Sequence, residues 1–163
     1  MPQRPAQKKK KPAVVQETRR ATAVAEGEAA IQAQIDRGDT IADEVRSFLA
    51  MLDEQQPVRG LPGNVSRQHK GFTERFWQDM RVLLAPTKKA ASAWHEQNQR
   101  MLNTVFTNNG QEQRYNTRGR PFVSGTKSYP DHDAERLLAT VQHRLDTLRQ
   151  IQAEFGGYDG PQG

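Results

Sequence analysis

The sequence predicts an all-α fold: an elongated bundle of about four helices with a disordered basic arm at its N-terminus. Three observations lead there. Apolar residues recur at threes and fours through several long stretches, no segment alternates long enough to read as a strand, and the nine prolines and twelve glycines gather outside the periodic stretches. With 34% apolar residues and a mean hydropathy of −0.90, the core has to come from narrow stripes along helices rather than from continuous apolar runs.

The first 20 residues carry seven positive side chains against one acid, Glu17, while the whole chain is only +5, so the remainder is close to electrically balanced. Residues 1–16 combine Pro2, Pro5 and Pro12 with the block Lys8, Lys9, Lys10 and Lys11, and buried surface cannot offset the cost of ordering such a segment. They are expected to form a disordered basic arm, followed by a single helical domain over 17–163.

From about Glu17 to Gln55 proline is absent, and Val24, Ile31, Ile35, Ala42, Val45, Leu49 and Leu52 trace a coiled-coil-like seam. Arg37-Gly38-Asp39-Thr40 interrupts it, with Thr40 and Asp43 spaced as a capping box, so a kink or short break is expected at Gly38. Pro57, Gly60, Pro62 and Gly63 mark a loop near 56–66. Phe72, Phe76, Met80, Leu83 and Leu84 then form a short stripe that ends at Pro86, where the next helix is expected to begin. In that helix Ala91, Trp94, Asn98, Met101, Leu102 and Val105 share one face.

Asn108-Asn109-Gly110 reads as a stop with left-handed conformers, and 110–130 as a polar loop in which Arg114, Arg118, Arg120 and Lys127 alternate with Tyr115, Phe122 and Tyr129. Asp131 or Asp133 is expected to cap the last helix, whose stripe of Leu137, Leu138, Val141, Leu145, Leu148, Ile151 and Phe155 stops at Gly156-Gly157.

No pattern here carries catalysis or metal binding. The four histidines, His69, His95, His132 and His143, are scattered and none pairs at i, i+4. Asp131-His132-Asp133 is read as helix-end chemistry and His143 as a surface or boundary residue. There is no cysteine, no serine in a strand-turn-helix setting, and no phosphate-cradling glycine loop before a lysine, so neither an enzyme nor a cofactor is expected. The lack of cysteine fits a reducing compartment, and without a secretory signal pattern or a membrane-length apolar run the expected location is cytoplasmic.

Two binding chemistries are left. Trp94, Asn98, Met101, Leu102 and Val105, together with Leu138, Val141, Leu145 and Leu148, offer helix faces either for the chain's own core or for a partner's amphipathic helix. Asn98 within such a stripe sets register or pairing. Lys8 to Lys11, with Arg118 and Arg120, offer salt-dependent attraction to nucleic acid.

Asn98-Gln-Arg-Met-Leu followed by Tyr115-Asn-Thr-Arg-Gly-Arg resembles the end of the bacterial flagellar export chaperones for hook-associated proteins. The resemblance covers roughly residues 91–120, with a looser echo in the final helix and Gly157-Tyr158-Asp159-Gly160. It implies a cytoplasmic helical chaperone whose Trp94–Val105 and Leu138–Phe155 stripes receive a client's amphipathic terminus. The basic arm, the proline-broken middle and the helix after Tyr115 depart from that pattern. The expected function is thus a non-enzymatic adaptor or chaperone that shields an amphipathic segment of another protein, with homo-oligomerisation open. The alternatives are a nucleic-acid-associated accessory protein of a phage or plasmid, tethered by the lysine arm, and a subunit of a larger assembly.

Overall fold

In the computed structural model the chain is described over residues 17–55, 69–118 and 129–162. The basic arm 1–16, the loop near 56–66 and most of the loop after 118 lie outside these residues. Among the described residues four helices make up the fold: α1 (Val24–Glu54), α2 (Glu74–Val105), α3 (Gly110–Arg118) and α4 (Pro130–Phe155), with a 3₁₀ turn at His69–Gly71 before α2. The fold is an all-α bundle, as the stripes predict. Its longest rod, α2, has 32 residues and spans about 48 Å at 1.5 Å per residue.

The α1 seam packs against both α4 and α2, and at Gly38 it meets Leu145 of α4 and Trp94 of α2 together. Ile31, Ile35, Ile41, Ala42, Val45, Phe48 and Leu52 are buried there, facing Leu137, Val141, Leu145, Leu148, Ile151 and Phe155 of α4. No break occurs at Gly38. Thr40 does not cap a new helix; its hydroxyl donates to the Asp36 carbonyl one turn back (3.1 Å), a bond that belongs to a helix interior. Gly38 is present because the rods cross there: a Cβ would overlap the Trp94 ring and come within 2.6 Å of Leu145 Cδ2.

Pro86 likewise does not separate two helices, since it lies inside α2. It removes one backbone donor and leaves the carbonyl of Val82 without its helical partner, which is tolerable because both residues are exposed. Buried Trp77 and Leu84 before the proline and Ala91 and Trp94 after it hold the two halves to the same bundle. The start of α2 is capped by Thr73, whose hydroxyl accepts from the Phe76 amide (3.2 Å).

Asn108-Asn109-Gly110 adopts no left-handed conformer; α2 ends instead in extended Phe106. The expected loop at 110–130 begins with nine helical residues, α3, whose first amide is received by Asn108 Oδ1 (Gly110 N, 3.0 Å). Its one apolar residue, Tyr115, is buried. Because α3 has no stripe, periodicity could not reveal it. The first helix also begins later than Glu17, at Val24, and before it Arg20 pairs with Phe106 as an isolated antiparallel bridge.

Candidate functional site

The predicted partner-binding stripe is occupied within the chain itself. Trp94, Asn98, Leu102, Val105, Val141, Leu145 and Leu148 are all buried, and Met101 and Leu138 are half-buried against the same core. The Trp94 indole donates to the Gln34 carbonyl of α1 (2.8 Å), and Asn98 Nδ2 donates to the Tyr115 hydroxyl (2.9 Å), a bond that links α2 to α3. Burial pushes the Tyr115 phenol up to about 12. The stacked ring of His95, whose Nδ1 lies 3.1 Å from that hydroxyl, is held below the usual imidazole value by burial and by the Arg144 charge. Arg144 itself is buried, and desolvation lowers its affinity for the proton.

The nucleic-acid candidates are not assembled into a site among the described residues. Lys8, Lys9, Lys10, Lys11 and Arg120 lie outside them, and Arg118 is the last residue of α3. Arg114 pairs with Glu154 of α4, and Tyr115 has no exposed face on which a base could stack.

Two features remain open to solvent or to a ligand. The first is the outer face of α2. Val82 is 74% exposed and Leu83 51% exposed, beside exposed Pro86, on a face that also carries Arg75, Asp79 and Lys89. Only Tyr129, at 36%, is a further exposed large apolar residue among those described.

The second is a corner where the His69–Gly71 turn meets the N-terminus of α4. Neither Asp131 nor Asp133 is the cap residue of α4; Tyr129 is, with Pro130 at the first helical position, and both acids turn inward and are almost fully buried. Asp133 Oδ2 receives Lys88 Nζ of α2 (2.8 Å), and Asp131 Oδ2 receives Lys70 Nζ (2.8 Å) and lies 2.9 Å from His69 Nε2. Burial drives the Asp131 carboxyl up, but the bonds and charges of Lys70 and His69 outweigh it and hold it below the ordinary carboxylate value. Lys70 is raised in turn, first by its bond to Asp131.

His69 is stacked on Tyr129 (centroids 4.0 Å apart) and tilted against Trp77, whose indole donates to the His69 carbonyl (3.2 Å). Lys70 is the one described residue other than glycine with positive φ (54°), a conformation that costs about 1 kcal/mol or more, and its ammonium reaches Asp131. A cavity of about 150 Å³ opens beside these groups, lined by Leu49, Leu52, Asp53, Lys70, Phe72, Trp77, Asp131 and Glu135.

This corner is the grouping that sequence reading missed. His69 and His132 are far apart in the chain, so no ligand spacing announces them, and the Asp-His-Asp run imitates routine helix-end chemistry. The available signal was a histidine-lysine pair placed just before an aromatic stripe. No family model, curated protein or solved structure matches the chain. No described helix is long and apolar enough to cross a membrane.

Proposed function

We propose that this protein is a non-enzymatic adaptor or chaperone that binds an amphipathic segment of another protein on the outer face of α2. The observation that carries this reading is the exposure of Val82 and Leu83, adjacent large apolar side chains on a rod whose other large aliphatic and aromatic residues are buried or half-buried. Such a pair, bordered by Arg75, Lys89 and Asp79, fits a helix that presents an apolar stripe with charged flanks. The resemblance to flagellar export chaperones supplies the same class of role. In this chain Asn98 and Tyr115 bond to each other, so the docking face is assigned to the outer face of α2 rather than to its inward stripe.

The test is a photo-crosslinking amino acid at position 82, compared in the source cell with the same group at exposed Gln142 on α4. A discrete adduct at 82 with one protein, abolished by Leu83→Asp while the melting temperature holds, supports the reading. Identical adducts at both positions, or none at 82, overturn it.

The lysine block Lys8–Lys11 favours the second reading, a nucleic-acid-associated accessory protein. Gel mobility of DNA and RNA with the intact chain and with residues 1–16 removed decides it: no shift by the intact chain at low salt eliminates that role.

A further inference from the structure

We propose that the corner formed by His69, Asp131 and His132 is a binding site for a first-row divalent metal ion of the zinc class, independent of the α2 docking face. One ligand-type atom from each of the three lies within 4.8 Å of the others, although His69 belongs to the turn before α2 and the other two to the first turn of α4. Two imidazoles and one carboxylate are the donor set that selects borderline ions such as Zn²⁺, Co²⁺ and Ni²⁺ over Mg²⁺ and Ca²⁺, and three protein ligands leave a position for water.

A second, independent observation points to a ligand. Asp131 is 2% exposed, yet its Oδ1 has no hydrogen-bond partner, a costly state for a carboxylate oxygen away from water. Lys70 and His69 both address Oδ2 and leave Oδ1 unsatisfied. A cation would complete it.

The surroundings suit a cation as well. Asp53, Asp131 and Glu135 line the adjoining cavity against the single ammonium of Lys70, so the lining is negative before any ion enters. Glu135 Oε2 lies 3.8 Å from His132 Nδ1, which places a carboxylate behind that ring and makes Nε2 the donor in this proposal. At 3.8 Å the pair is not hydrogen-bonded, and closing it on metal binding would orient the imidazole and raise its basicity. Tyr129 stacked on His69 holds the other ring in place. Coordination through His69 Nε2 requires its proton on Nδ1, so the metal replaces the present His69–Asp131 hydrogen bond. Bound there, the ion ties the segment entering α2 to the start of α4.

Isothermal titration of the untagged full-length chain, stripped with chelator, tests the site with Zn²⁺ and Co²⁺. The expected result is one ion per chain, visible absorption from Co²⁺ typical of nitrogen and oxygen ligands, and a rise in melting temperature with added zinc. His132→Ala, in which a half-exposed side chain is removed, weakens zinc by about tenfold or more, His69→Gln does the same, and the control His143→Ala leaves it unchanged. Absence of zinc binding overturns the proposal. So does binding that is equal in the parent and His132→Ala, or that Mg²⁺ matches at the same concentration.

Discussion

A methyl group at position 38 would meet the Trp94 ring and Leu145 at once, and neither can retreat: Trp94 has no exposed surface and is tethered to the Gln34 carbonyl. Alanine is the better helix former by about 1 kcal/mol, but overpacking a closed core costs about 1–3 kcal/mol. Gly38→Ala is therefore expected to destabilise the protein, by up to about 2 kcal/mol net in urea unfolding. An equal or higher midpoint would mean that the crossing is looser than described. The Asn98–Tyr115 bond is similarly specific: Tyr115→Phe leaves a buried amide donor unpaired and should cost about 1–3 kcal/mol. Next to it, His95 has a depressed proton affinity, so the unfolded chain takes up that proton before the folded one. Its contribution is fully present above the unfolded value of 6.5 and is lost as pH falls through the lower folded value. Melting temperature should consequently decline on acidification below about pH 6.5, and His95→Gln should flatten that decline; an unchanged slope in the variant would remove His95 as the cause.

Among the helices, Pro86 marks the clearest departure from local rules. Its ring position and the Val82 carbonyl both face solvent, so Pro86→Ala restores a helical bond without disturbing packing and is expected to raise stability by about 1–3 kcal/mol, read as a higher urea midpoint. The stripes of α1 and α4 were legible because burial on one side of a long rod imposes a period. The sequence predicts a kink or short break at Gly38 and a helix boundary at Pro86, yet both lie inside helices because local propensity is weaker than long-range packing: Trp94 and Leu145 need the gap at 38, and Leu84 with Ala91 hold α2 through the proline. Helix α3 was invisible for the opposite reason, since a single buried tyrosine and polar bonds to α2 and α4 hold it in place of a stripe. The corner of His69, Lys70, Asp131 and His132 depends on the return path of the chain, which no spacing in the sequence encodes.

At the scale of the whole molecule, the described segments before α1 and after α4 are tied together. Arg20 is buried; its Nε donates to the Tyr158 carbonyl (2.7 Å), its NH1 to the carbonyls of Thr22 (3.1 Å) and Pro161 (3.0 Å), and its guanidinium lies 5.9 Å from the Phe155 ring centroid. The amide of Ala21 donates to the Val105 carbonyl (2.8 Å) and that of Arg20 to the Asp159 carbonyl (2.7 Å), so the segment entering α1 is clasped between the end of α2 and the residues that follow α4. Arg20→Met, which keeps the apolar stem but leaves three carbonyls without their donor, is expected to cost about 2 kcal/mol and to speed proteolysis at both ends. Beneath that clasp, the apolar stripes serve the bundle itself and the outward apolar face is that of α2. The far-ultraviolet melt of Leu145→Asp, run beside Val82→Asp, addresses this directly. A buried carboxylate at 145 should abolish cooperative unfolding or lower its midpoint severely, while the exposed substitution at 82 should melt with the parent. A Leu145→Asp protein that retains full helicity and the parent midpoint would show that stripe to be an open face and contradict the account.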